Sequence, residues 1–254
     1  MKRHNKVLLV LCICLIITGC EKESSNTESQ GISGQITGKE EVTVRSGKKD
    51  SSSKKGKKQQ IVRQPEKEKK TEPTADTMVR VLDYIPDIKI DLRYSTKNNF
   101  TGKKVYEFKE AYLRYGTVVK LKRVQTRLKK KNYILLIWDA YRPVYAQYQL
   151  WKICPNPAYV ANPHNGYSSH SRGNTVDITM LTLQGEEVKM PTDFDDFSER
   201  ADRDYSDCSP EERKNAKRLE NIMKEEGFTP YSGEWWHFSD THKYPVKKAM
   251  KRIK

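Results

Sequence analysis

An imidazole and a carboxylate stand seven residues apart in the segment running from Ser168 through His170 and Gly173 to Asp177, and a second imidazole stands three residues after a glutamate in Gly233-Glu234-Trp235-Trp236-His237. A glycine-containing turn that leads into a strand brings His170 and Asp177 to one point, and His237 supplies a third donor. Two histidines and one carboxylate form the three-ligand set of a catalytic zinc site, whose fourth position stays open for water. One Zn2+ per chain is therefore expected, although the same donors also accept other divalent metals. Glu234, near a ligand without being one, is placed to take a proton from the water and pass it to a leaving amine. Trp235 and Trp236 would exclude solvent and stiffen this segment.

A third segment, Trp138-Asp139-Ala140-Tyr141-Arg142-Pro143, closes a buried run, where a functional side chain is held rigidly. Arg142 has the chemistry to stabilise an oxyanion on a scissile carbonyl, and loss of one such donor costs about 10²–10³ in rate. Each residue also has a plainer role open to it. His170 alone is a turn residue, His237 a hydrogen-bonded core histidine, Glu234 a surface carboxylate, and Arg142 the ion-pair partner of Asp139. The case for chemistry rests on their coming together. His164 and His242 lie in turn-like surroundings and read as exposed loop histidines.

The elements that must position these residues follow from periodicity. Alternation in Val79-Arg80-Val81 and Ile88-Lys89-Ile90-Asp91-Leu92 predicts strands, and so do the apolar runs Tyr133 to Asp139 and Val176 to Leu181. Val118, Leu121, Val124 and Leu128 recur at helical spacing, and the helix should end near the Lys129 to Lys131 run, where cations suit a C-terminus. A second helix is expected from Tyr145 to Lys152, after Pro143. Ser209-Pro210-Glu211-Glu212 combines an N-cap, a first-turn proline and a capping-box glutamate, so a third helix should run to Gly227 as its C-cap. Strands at Phe228 to Tyr231 and Trp235 to Phe238, then a terminal helix from Pro245, complete a mixed α+β domain of residues 78–254 with a single core.

Ahead of that domain the composition changes. Lys2, Arg3 and Lys6 precede a short apolar run, Val7 to Ile17, which ends in Ile17-Thr18-Gly19-Cys20. A spanning helix needs roughly 20 apolar residues, so residues 1–20 read as an export signal. Small residues before Cys20 resemble a bacterial lipobox, which implies cleavage before Cys20, lipidation of its thiol and a membrane-anchored chain on the extracytoplasmic face. Residues 21–77 are rich in Ser, Lys, Glu, Gln and Gly and poor in aromatics, and read as a disordered tether with a reach of roughly 40–45 Å. The net charge of +15 comes from scattered basic residues on an exported chain, which argues against nucleic acid. Anionic headgroups or wall polymers are the better match, and runs such as Lys54-Lys55-Gly56-Lys57-Lys58 equally serve to solvate the tether. Cys154 and Cys208 remain in the mature domain; the compartment permits a disulfide, and two separate thiols are the alternative.

The segments SSHSRGNTVDIT, DAYRP and GEWWHF, in any case a coherent set, resemble the D-alanyl-D-alanine dipeptidases of the VanX type. Ser168, His170 and Asp177 meet the family's Ser-x-His-x6-Asp pattern, Glu234, Trp236 and His237 its Glu-x-Trp-His, and Arg142 its arginine. Asp91-Leu92-Arg93-Tyr94 and Asn98-Asn99-Phe100-Thr101-Gly102 are similar to its N-terminal region, so the resemblance covers residues 78–254. It implies a compact α+β fold with a central antiparallel sheet bearing zinc and flanking helices, and hydrolysis of free D-Ala-D-Ala to two D-alanines. It also implies a carboxylate for the substrate ammonium, assigned to Asp195 in Met190-Pro191-Thr192-Asp193-Phe194-Asp195, with Ser168 as a polar contact. The export signal departs from the family's cytosolic resistance role and suits scavenging of D-Ala-D-Ala outside the cell. A carboxypeptidase or endopeptidase trimming peptidoglycan stems is the rival enzyme. An inactive zinc-holding wall-binding module is a third reading, disfavoured by the presence of Glu234.

Overall fold

The structure, a computed structural model, describes residues 72–248. The export signal, Cys20 and all but the last residues of the tether lie outside the described residues. Among the described residues no helix is long and apolar enough to cross a membrane.

The main sheet contains β2 (Lys89–Ile90), β4 (Tyr133–Asp139), β5 (Thr175–Thr182), β6 (Phe228–Pro230) and β7 (His237–Asp240), in the order β2-β4-β5-β7-β6. All pairings are antiparallel except β2 on β4, where a two-residue edge strand joins in parallel. β1 (Met78–Arg80) and β3 (Tyr112–Arg114) form a separate antiparallel ribbon. The backbone just ahead of β1 already takes part in the fold, since Thr77 and Ala75 carbonyls accept from the amides of Tyr115 and Gly116 at 2.8 and 3.1 Å.

Among the described residues three α-helices complete the α+β domain: α1 (Tyr115–Lys129), α2 (Val144–Ile153) and α3 (Pro210–Glu225). The stripe Val118, Leu121, Val124 and Leu128 of α1 is fully buried, which is what an amphipathic helix gains from docking. The α3 start is the expected capping box: the Glu212 amide donates to Ser209 Oγ at 3.3 Å, and the Ser209 amide donates to Glu212 Oε2 at 2.8 Å.

Two local expectations need correction. The strand expected at Trp235 begins instead at His237, because Glu234 and His237 amides donate back to the carbonyls of Tyr231 and Glu234 and hold residues 231–236 as turns. Both tryptophans are buried, so the segment has no alternation to mark its strand boundary. β3 carries no alternation either, as all three of its residues are buried. Residues 245–248 run without helix, and the rest of the expected terminal helix lies outside the described residues. Cys154 and Cys208 are both free thiols.

Candidate active site

Strand register assembles the site. Asp177 of β5 stands directly opposite His237 of β7 and Asp139 of β4, and directly opposed residues share a face of the sheet. The β4–β5 ladder shifts register between Ile137 and Asp139, with Trp138 as the extra residue. Such a bulge re-aims side chains, and here it puts Asp139 on the side of Asp177. Three adjacent strands thus offer Asp139, Asp177 and His237 side by side.

His170 comes from the 3-10 turn Ser169–Arg172 that precedes β5. The turn ends at Gly173 with φ 74°, a left-handed conformation that glycine adopts without penalty. A Cβ there would also meet Met78 Sδ at 2.7 Å. His170 Nδ1 lies 2.8 Å from the Ala140 carbonyl oxygen. A carbonyl can only accept, so Nδ1 carries the proton and Nε2 presents its lone pair to the site.

His170 Nε2 is 3.3 Å from Asp177 Oδ2, His237 Nδ1 is 3.0 Å from Asp177 Oδ1, and the two ring nitrogens are 3.3 Å apart. The three residues form a group whose donor atoms all lie within 4.8 Å of one another. Asp177 Oδ1 is buried without a hydrogen-bond partner, which a cation would remedy. Two imidazoles and a carboxylate, with one imidazole oriented by a backbone carbonyl, fit a divalent metal of the zinc type.

A cavity of about 260 Å³ opens beside this group. Glu234 lines it, with Oε2 at 3.5 Å from His237 Nδ1. Burial pushes the Glu234 carboxyl up to about 7, against the pull of His237, so its proton affinity falls where a general base works at neutral pH. Arg142 lines the cavity as well. Its Nε and Nη2 hold Asp139 Oδ2 at 2.8 and 2.7 Å. The ion pair with Asp139 is therefore real, and it orients the arginine without removing it from the cavity. Tyr106 Oη donates to the other Asp139 oxygen at 2.7 Å. Burial opposes the Arg142 charge, but Asp139, Tyr94 and Asp177 outweigh it and raise its pKa.

Asp195 and Ser168 line the same cavity. Asp195 stands at φ 59°, a conformation that aspartate adopts more readily than most residues. It accepts from Tyr94 Oη at 3.0 Å through Oδ1, while its buried Oδ2 has no partner. Burial pushes this carboxyl up to about 7, with Arg142 opposing the rise. Ser168 Oγ accepts from the His170 amide at 3.3 Å and so caps the histidine's turn. All seven candidate residues of the domain therefore converge. His164 and His242 do not: each is exposed and packs on a tyrosine, Tyr148 and Tyr244 respectively.

Sequence reasoning missed Tyr94, whose ring lies under the Arg142 guanidinium at 4.8 Å while its hydroxyl holds Asp195. It also missed Gln147, a polar residue on the buried face of α2 between Ala146 and Leu150. An amide on an apolar stripe was the available signal.

The chain is similar to known proteins over the whole of this domain's described core. A peptidase M15 family model, described as D-Ala-D-Ala dipeptidase, matches residues 74–252. The chain is 36% identical over 153 residues to a D-alanyl-D-alanine dipeptidase of Escherichia coli (strain K12), covering 60% of this chain and 79% of the relative. It is 34% identical over 176 residues to one of Enterococcus faecium, covering 61% and 87%. To one of Enterococcus faecalis it is 34% identical over 171 residues, covering 59% and 85%.

Proposed function

Because the chain belongs to the peptidase M15 family of D-Ala-D-Ala dipeptidases, we propose that this metallopeptidase uses zinc to hydrolyse free D-Ala-D-Ala to two D-alanines outside the cytoplasmic membrane, as part of cell-wall metabolism. The observation that carries the reading is the position of Asp195. A buried carboxylate with one oxygen free lines the cavity that also holds the metal-ligand group and Glu234. That arrangement suits a substrate with a free ammonium a short distance from its scissile carbonyl.

The reaction follows from the residues. Zinc held by His170, Asp177 and His237 would supply Lewis acidity for the carbonyl and for the attacking water. Glu234 accepts the proton that the water gives up and returns it to the amine that leaves. Arg142 offers N–H groups to the oxygen on which negative charge grows. Asp195 pairs with the ammonium and so fixes which carbonyl lies at the centre, and Ser168 keeps the His170 turn in place.

The test is hydrolysis of D-Ala-D-Ala, its N-acetylated form and a wall pentapeptide by the purified chain, beside the Asp195→Asn variant. Cleavage of the free dipeptide alone is expected, with KM raised at least tenfold in the variant as its ammonium partner is lost. Cleavage of only the blocked or longer peptides would make the protein a stem-trimming peptidase. pH adds a second check. A neutral Asp195 cannot pair with an ammonium, so kcat/KM should fall on acidification through a limb at or below about 7, since a cation in the site favours the carboxylate. It should fall again above the α-amino pKa of about 8, where the substrate loses its charge.

Placement outside the membrane rests on Cys20 and the export signal before it, and the basic tether suits anionic headgroups or wall polymers near the anchor. A Cys20→Ala variant should lose acylation and leave the membrane fraction; a variant still acylated and membrane-held would remove the basis for this placement.

A further inference from the structure

The Arg142 guanidinium has five N–H hydrogens, and two of them are in hydrogen bonds. Nε gives one to Asp139 Oδ2 at 2.8 Å, and Nη2 stands in ion-pair contact with the same oxygen at 2.7 Å. Nη1 gives one to the side-chain oxygen of Gln147 at 3.0 Å. One hydrogen of Nη1 and those of Nη2 are left, and these are the donors available to a developing oxyanion. Their direction depends on how the planar group is turned, and Asp139 alone does not fix that turn, because both of its contacts lie along one edge of the plane. Gln147 grips the opposite nitrogen.

Gln147 is itself fully held. It is 0% exposed, and its amide nitrogen donates to the Ala161 carbonyl at 2.8 Å. That bond defines which end of the amide faces Arg142: nitrogen toward the carbonyl, oxygen toward the arginine. Ala161 belongs to the segment Pro157 to Ala161 that forms one wall of the cavity, while Gln147 does not line the cavity. The glutamine thus ties the arginine to the wall facing the substrate from a position the substrate does not touch.

We propose that Gln147 is a positioning residue for the oxyanion-stabilising arginine, setting the rotation of Arg142 and coupling it to the 157–161 wall. The inference rests on the reading of Arg142 given above. Its effect belongs to the transition state, because the charge on the carbonyl oxygen appears only there. Misplacement of a catalytic group by a fraction of an ångström to an ångström costs up to about 10²-fold.

The experiment is a double-mutant cycle in the full-length chain, made of Gln147→Met, Arg142→Ala and their combination, with kcat and KM for D-Ala-D-Ala and the inhibition constant of a phosphinate dipeptide whose tetrahedral anion mimics the transition state. Gln147→Met keeps the volume and removes both hydrogen bonds. It should lower kcat by about 10- to 100-fold and weaken the phosphinate comparably, with KM within about twofold. In the Arg142→Ala background the same change should alter kcat by less than about twofold, because interacting sites are non-additive. An equal loss in both backgrounds would mean that Gln147 only supports the fold, and would overturn the proposal. Unchanged kcat in Gln147→Met beside a large loss in Arg142→Ala would overturn it and leave the reading of Arg142 intact, whereas no loss in Arg142→Ala would sink both. Should the methionine variant not fold, Gln147→Glu retains an acceptor for Nη1 but loses the donor to Ala161, and its kcat loss should likewise shrink to less than about twofold in the Arg142→Ala background; an equal loss in both backgrounds counts against the proposal.

Discussion

Glutamine in place of Glu234 should lower kcat by about 10²–10⁴ while the protein still binds one metal ion and still melts as the parent does. The change removes a proton acceptor and little else, since glutamine has the shape of glutamate and Glu234 is not one of the clustered donors. The size of the loss follows from what the site has prepared. Burial has pushed this carboxyl up to about 7, so at neutral pH it is basic enough to take a proton from water and acidic enough to give it to an amine. Removing it leaves the attacking water without an acceptor nearby. Kinetics of the variant at pH 7, with metal content measured on the same sample, is the check. Activity within tenfold of the parent would show that another group takes the proton, and Asp195, also raised to about 7, would be the next to replace.

Much of this site was legible in the sequence because its ligands are tied to short local patterns. His170 and Asp177 are separated by one turn and the start of one strand, and Glu234 and His237 by one turn, so spacing alone limits where they lie. The capping box and the buried stripe of α1 are local patterns too, and they correspond to helices at those places. What spacing does not carry is register. That Asp139 joins the site follows from the shift at Trp138, which depends on how β4 and β5 pair over their whole length. The Tyr94 contact brings together groups whose neighbours in the chain give no hint of a partner: Tyr94 reaches Asp195 across 101 residues. The strand boundary at His237 was hidden for a related reason, because two buried tryptophans in a turn look like an apolar strand until the tertiary packing is known.

Asp177→Asn should abolish the protein's response to metal, and with it hydrolysis, more completely than any other single substitution in the cavity. Asp177 is the group on which the donor set is built: its two oxygens face one imidazole each, at 3.3 and 3.0 Å, and the amide nitrogen of asparagine would place a hydrogen-bond donor where one of those lone pairs now points. Carboxylate charge matters as much as shape, since two neutral imidazoles and a neutral amide offer a dication no counter-charge. A ligand that binds only the folded state stabilises it by RT ln(1 + [L]/Kd), about 2.7 kcal/mol at a hundredfold excess over Kd. Added zinc should therefore raise the melting temperature of the metal-free parent and of Glu234→Gln, but not that of Asp177→Asn. Chelation should silence the parent and zinc should restore it. Those responses separate the two kinds of loss, because Glu234→Gln is inactive with its metal in place and Asp177→Asn is inactive without it. A zinc-induced shift of equal size in Asp177→Asn, or full activity after chelation, would contradict the assignment of His170, Asp177 and His237 as the ligands, and the chemistry derived for Glu234 would then need another source of activated water.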